Sequence, residues 1–203
     1  MLGISKLALS VQPSATLAAG AKARQLRSQG VKVFDFSLGE PDFPTPEHIC
    51  QAAIAAMKSG QTHYTIAHGT VELRTAISRW YKKVYNLDCT PDQIIVSNGA
   101  KHSIHNALLT LVGPGDEVII PTPFWVSYSD LVSMTGATPV LIPCSMEADF
   151  KVSAAQIKKA ITPKTKLLLI NSPSNPTGAV YTHAELEAIA DLVLEANIGV
   201  ISD

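Results

Sequence analysis

The chain has 203 residues, 46% of them apolar, enough for one substantial core. Acidic and basic side chains nearly cancel, for a formal net charge of -1, so no basic stripe points to nucleic acid or to an anionic membrane surface. Gly and Pro, 12 and 13 of them, are near the average share, and no segment reads as a low-complexity linker.

In chain order, the Ala-, Lys- and Arg-rich stretch over 13–29 predicts a helix closed by Gly30. Residues 31–36 predict a short strand. Gly39-Glu40-Pro41-Asp42-Phe43-Pro44-Thr45-Pro46 is irregular, because its three prolines remove donors and fix the backbone. Thr45-Pro46-Glu47 opens the next helix with a capping hydroxyl, a first-position proline and a first-turn acid. A further helix covers 71–85. From residue 94 the rhythm changes, with β-rich runs at 94–97, 117–120, 138–142, 166–170 and 198–202 and helical stretches between them. Ser153-Ala154-Ala155-Gln156 and Thr182-His183-Ala184-Glu185 are capping boxes. Strands alternating with helices predict an α/β fold with a mostly parallel sheet covered on both faces.

The three cysteines, Cys50, Cys89 and Cys144, lie far apart with no Cys-x-x-Cys pair. Neither a disulfide frame nor a zinc site is expected, and a reducing cytoplasm is the natural setting. Leu7-Ala8-Leu9 after Lys6 mimics a signal peptide, but Gln12-Pro13 cuts the apolar run short. No run of about 20 apolar residues predicts a membrane span.

Parallel sheets bind ligands beyond the carboxyl ends of their strands, so the segments after the strands are the candidate sites. Ser97-Asn98-Gly99-Ala100-Lys101-His102 places small residues at a helix start, where backbone N–H groups can face an anion. It has neither the P-loop spacing nor the dinucleotide fingerprint. Pro121-Thr122-Pro123-Phe124-Trp125 exits its strand extended; Phe124 reads as packing, while the Trp125 indole can stack on a flat ring. Asn171-Ser172-Pro173-Ser174-Asn175-Pro176-Thr177-Gly178 is more specific than a single Asn-Pro turn, and Asn175 offers a side-chain amide. Asp203 closes the last apolar run. His102 and His105 share a helix face, but no third ligand accompanies them, so no metal is expected.

Taken together, the Gly39-Glu40-Pro41-Asp42 segment, the small-residue turn before Lys101, the Pro-x-Pro-Phe-Trp exit, Asn175-Pro176-Thr177-Gly178 and the Ser202-Asp203 ending resemble a fold-type I aminotransferase. The resemblance runs along essentially the whole chain and looks strongest to the bacterial aspartate and prephenate branch. It implies the large domain of a PLP-transferase, dependent on pyridoxal 5'-phosphate (PLP) and truncated here. Residues 1–48 would form an N-terminal arm and part of a small domain, and 49–203 an incomplete PLP-binding domain. Gly99, Ala100 and Lys101 match the turn that cradles the cofactor phosphate. Trp125 matches the aromatic against the pyridine ring, Asn175 the partner of its phenolic oxygen, and Asp203 the partner of its protonated nitrogen. Tyr64 matches a tyrosine that reaches the phosphate of a neighbouring subunit in a homodimer. Gly39 lies where the family's backbone meets the substrate carboxylate, and Lys101, Trp125 and Asn175 also match substrate contacts. The implied activity is transfer of an amino group between an amino acid, aspartate or glutamate foremost, and a 2-oxo acid. The family's covalent lysine and carboxylate-binding arginine have no match up to Asp203. The expectation is therefore an incomplete, inactive part with no catalytic residue of its own. A PLP-dependent lyase or decarboxylase on the same scaffold, and a non-catalytic small-molecule-binding α/β domain, are the competing readings.

Overall fold

The computed structural model describes residues 3–11, 15–36 and 39–203. The chain divides into two compact units: Thr16–Ser97, and Asn98–Asp203 together with the N-terminal stretch to Ala15. A five-residue helix, α1 (Lys6–Ser10), stands where the sequence suggested only an apolar run, and the Ser5 hydroxyl accepts from the Ala8 N–H at 3.1 Å.

The Thr16–Ser97 unit is helical. Its first helix, α2 (Ala15–Ser28), ends as expected at Gly30, whose φ of +79° few other residues tolerate. Positions 13–14 of the predicted helix lie outside the described residues. Helix α3 (Glu47–Lys58) begins one residue later than predicted: Pro46, with ψ of 137°, takes the cap position and no side chain caps it. Thr45 is thus displaced from the capping role. Helix α4 (Val71–Tyr85) has the predicted bounds, with Thr70 capping the Leu73 N–H and Asn86 closing it in the left-handed region.

Two predicted strands of this unit are not formed. Residues 31–36 form no strand: the Val31 N–H turns back to the Leu26 carbonyl at 3.1 Å, and Phe34 and Phe36 are exposed. At 94–97 the bond from Val96 N–H to the His68 carbonyl at 3.1 Å, with a local one from Ile94 N–H to the Pro91 carbonyl at 3.3 Å, stands in place of a ladder. Alternation identifies a segment that can be β, but a strand exists only where a neighbour completes its hydrogen bonds. What anchors 94–97 is close packing, since a Cβ on Gly69 would meet Val96 Cγ2 at 2.7 Å. The buried Arg74 adds to it, donating to the carbonyls of Gly69 at 3.1 Å and Pro91 at 2.6 Å.

The Asn98–Asp203 unit is the predicted parallel α/β layer structure. After α5 (Ala100–Leu111) come β1 (Glu117–Thr122), α6 (Ser127–Met134), β2 (Thr138–Pro143), α7 (Ala154–Ala160), β3 (Thr165–Ile170), α8 (His183–Glu195) and β4 (Gly199–Ser202). The four strands are parallel in the order β2-β1-β3-β4. The predicted capping boxes start α7 and α8. Strand residues alternate between two cores. Val118, Ile120, Leu167 and Leu169 pack with α5 and α6 on one face. Ile119, Ile142, Leu168 and Ile170 pack with α7 and α8 on the other. Val118, Ile119 and Ile120 are all fully buried. Burial of each such side chain stabilises the fold by roughly 1.5–3 kcal/mol, which explains the unbroken apolar runs.

This topology determines where a ligand can enter. The chain leaves β1 through α6 on one face to reach β2, and leaves β3 through α8 on the other face to reach β4. The loops after β1 and β3 therefore part at the centre of the sheet, the switch point where open α/β sheets form their crevice.

Candidate functional site

The loop after β1 carries Phe124 and Trp125, and the loop after β3 carries Asn171 and Asn175. Three peptide bonds around these loops are cis: Thr122-Pro123, Ser172-Pro173 and Asn175-Pro176. Trp125 and Phe124 both pack against the α5/α6 core while staying partly exposed. Phe124 is thus the packing residue expected, and Trp125 both packs and shows a face to solvent.

Ahead of α5, Gly99 holds a φ of +82° and occupies the cap position. The N–H groups of Gly99, Ala100 and Lys101 have no acceptor among the described residues. The first bonds of the helix are those of His102 and Ser103 to the Gly99 carbonyl, at 3.1 and 3.4 Å. His102 Nδ1 accepts the Asn98 N–H at 3.3 Å, so this histidine braces the turn. A helix start with three free, exposed donors is suited to an anion.

Lys101 and Trp125 meet, with the ammonium nitrogen 4.8 Å from the indole ring. Trp125 in turn packs edge-on against Tyr128, with ring centroids 5.5 Å apart and planes at 84°. The hydroxyl of Tyr128 donates to the Asp203 carboxylate. Burial first, and then this carboxylate, push the Tyr128 phenol well above its ordinary value.

Asp203 follows β4, and its N–H extends the ladder to the Ile170 carbonyl at 3.0 Å. Its carbonyl accepts from Asn171 Nδ2 at 2.7 Å, while Asn171 Oδ1 accepts the Asn175 N–H at 2.6 Å. The Asn175 side chain is exposed and has no partner among the described residues. One line of contacts thus links Lys101, Trp125, Tyr128, Asp203, Asn171 and Asn175. It brings together an anion turn, a flat aromatic face, a carboxylate and a free amide.

Gly39 and Tyr64 belong to the Thr16–Ser97 unit. Gly39 is exposed with open space about it, and Tyr64 is fully exposed. Sequence reasoning assigned no role to Tyr128 or Asn171. The signal for Tyr128 was present: Trp125, Tyr128, Leu131 and Val132 fall on one helical stripe, and a tyrosine there needs a partner for its hydroxyl. Asn171 has no comparable local signal. Among the described residues no group of histidine, cysteine and carboxylate side chains could hold a metal ion, and Cys50, Cys89 and Cys144 are free thiols.

The model of the family described as aminotransferase class I and II matches residues 31–203. Over 194 residues the chain is 47% identical to an aspartate aminotransferase of Bacillus sp. (strain YM-2), covering 96% of this chain and 50% of that one. It is 48% identical over 185 residues to a probable aspartate/prephenate aminotransferase of Rhizobium leguminosarum bv. phaseoli, covering 91% of this chain and 46% of the relative. Among solved structures, the aspartate aminotransferase from Thermus thermophilus with maleate superposes on the whole chain with a TM-score of 0.97 at 42% identity, over 53% of its own length. The chain spans about half the length of the curated relatives it matches.

Proposed function

The chain belongs to the aminotransferase class I and II family, and we propose that the whole protein is a PLP-dependent transaminase acting between an amino acid and a 2-oxo acid. Aspartate or glutamate is the proposed donor. The observation that carries this reading is the continuous line from Lys101 to Asn175 at the carboxyl ends of β1, β3 and β4.

The chemistry of these groups fits PLP. The free amides of Gly99, Ala100 and Lys101 suit a phosphate dianion. The Trp125 face suits a flat heteroaromatic ring, and the unpartnered Asn175 amide suits a phenolic oxygen. Asp203 suits a ring nitrogen that carries a proton. When bound, PLP supplies an electron sink for the pair left at the substrate's α-carbon. The chain's own groups then orient and polarise. Asp203 would hold the proton at the ring nitrogen, and Asn175 would hold the phenolic oxygen. Trp125 excludes water from one face. Lys101 offers a cation to a second substrate carboxylate, and the Gly39 backbone meets the first. None of these groups is assigned the covalent or proton-transfer step.

The relatives' names support the donor: the two above are called aspartate and probable aspartate/prephenate aminotransferase. The proposed assembly is a homodimer in which the exposed Tyr64 reaches a neighbour's phosphate site. The proposed domain division is an arm with part of a small domain over 1–48 and the large domain from 49, in the cytoplasm. No helix among the described residues is long and apolar enough to cross a membrane.

The test is an assay of protein expressed from its complete gene, supplied with PLP, aspartate and 2-oxoglutarate. Oxaloacetate is followed by coupled NADH oxidation. PLP-dependent formation of oxaloacetate and glutamate in equal amounts is expected. Release of carbon dioxide or ammonia instead would assign the scaffold to a decarboxylase or lyase. Failure to bind PLP would leave the non-catalytic reading.

A further inference from the structure

We propose that Tyr128 is a positioning residue for this site: its buried hydroxyl holds the Asp203 carboxylate in the orientation that presents one oxygen to the cofactor's ring nitrogen. The inference rests on the PLP reading above and adds to it a residue that touches neither cofactor nor substrate.

Four observations converge on it. Tyr128 is 1% exposed, yet it lies in an apolar core where a phenylalanine would pack equally well. A hydroxyl so buried is costly unless a partner receives it, and its partner is Asp203. The ring cannot swing away. Phe124 stacks on it with centroids 6.3 Å apart and planes at 23°, and Trp125 meets it edge-on. The main chain of Asp203 is fastened on both sides, its N–H to Ile170 and its carbonyl to Asn171. That leaves the carboxylate rotor as the remaining freedom, and Tyr128 binds Oδ2. Oδ1 has no partner among the described residues and remains available as an acceptor. The upward-shifted phenol also means that Tyr128 stays a donor throughout the working pH range. The aromatic packing that shapes the Trp125 face and the hydroxyl that steers Asp203 therefore come from one side chain.

The experiment has two arms on the protein from its complete gene. In the first, without PLP, tyrosine labelled with 13C at the ζ carbon is followed by NMR, with Tyr128 assigned from the Tyr128→Phe spectrum. Asp203→Asn should shift the Tyr128 signal and let the phenol ionise at lower pH; an unmoved signal overturns the proposal. In the second, PLP labelled with 15N in the ring is bound at neutral pH. The wild type should show a protonated ring nitrogen, and Tyr128→Phe should show a less protonated one. The single-turnover rate with aspartate should fall roughly 10- to 100-fold, the worth of one hydrogen bond to a charged group, with KM within about 3-fold. Incorporation of 3-fluorotyrosine keeps the hydroxyl and should preserve both readouts; if Tyr128→Phe does not fold, the first arm and the fluorinated protein decide. An unchanged 15N signal and an unchanged rate in Tyr128→Phe would assign Tyr128 to packing alone. A wild type that binds no PLP would overturn the transaminase reading and the role built on it, whereas the first arm would still report the Tyr128–Asp203 contact.

Discussion

Asn171 ties together two residues proposed to hold the nitrogen and the phenolic oxygen of one ring, and its removal has a calculable effect. Its Nδ2 donates to the Asp203 carbonyl at 2.7 Å, and its Oδ1 accepts the Asn175 N–H at 2.6 Å. Asn171→Ala deletes both bonds. Both lie where water can replace them in part, so each is worth about 0.5–1.5 kcal/mol net, or about 1–3 kcal/mol together. For a chain of this size that lowers Tm by about 2–12 °C. The larger consequence is functional. Without the tie, binding must itself order the Asn175 loop against the end of β4, and the same free energy reappears as PLP affinity weakened by about 5- to 150-fold.

Asn171→Asp separates the two bonds. It keeps an acceptor for the Asn175 N–H but sets a carboxylate against the Asp203 carbonyl. At neutral pH it should be at least as damaging as alanine. At lower pH, once the new carboxyl is protonated and can donate, it should recover. Thermal unfolding and PLP titration by Trp fluorescence, run on both variants across pH, check this. Unchanged Tm and unchanged PLP affinity in Asn171→Ala would refute the bridging role. A lowered Tm with unchanged affinity would make Asn171 a structural tie only.

Lys101→Ala should weaken aspartate or glutamate more than an uncharged amino acid, by roughly 10- to 150-fold in kcat/KM, the range for one charge-assisted hydrogen bond; equal losses for all donors would assign Lys101 to phosphate binding or to its contact with Trp125. Arg74→Ala should destabilise the Thr16–Ser97 unit by about 2–5 kcal/mol, because it opens a cavity and unpairs the Gly69 and Pro91 carbonyls. Hydrogen exchange should then speed up across α4 and 91–96, and unaltered protection there would contradict the accounting. Glu185 is held down to about 2 by the Lys151 ammonium and the Thr182 N–H. Its folded value lies below the ordinary 4.5, so the stability it contributes is present above that value and is lost as pH falls toward 2. Lys151→Met should raise the Glu185 midpoint in a carboxyl NMR titration, and an unmoved midpoint would place the cause elsewhere.

The parts of the fold legible in the sequence are those whose cause is local or periodic. Helix α4 shows its face every three to four residues, and α7 and α8 announce themselves with capping boxes. The central strands β1 and β3 are apolar on both faces because helices cover both, and that marks them as parallel, while the edge strands β2 and β4 stay partly exposed. Where the cause is a partner, the pattern misleads. Residues 31–36 and 94–97 have β composition but no ladder, and one backbone bond to His68 settles Val96 in a different role. Thr45 and Pro46 compete for one cap position, and the helix starts behind the proline.

The same division runs through the site. Trp125, Asn175 and Asp203 could be singled out because a parallel sheet exposes its chemistry after the strands, and each follows one. Asn171 could not, and Tyr128 showed only that its hydroxyl needs some partner, since what matters about both is relational. Tyr128 acts on a residue 75 positions away, and Asn171 on one 32 positions away. Both pairs become neighbours only because β4 is laid beside β3, and β3 beside β1, at the point where the crossovers part. The sheet order therefore does more than place the loops. It converts two unremarkable side chains into the fastening of Asp203, whose carboxylate is the group proposed to hold the proton of a ring nitrogen.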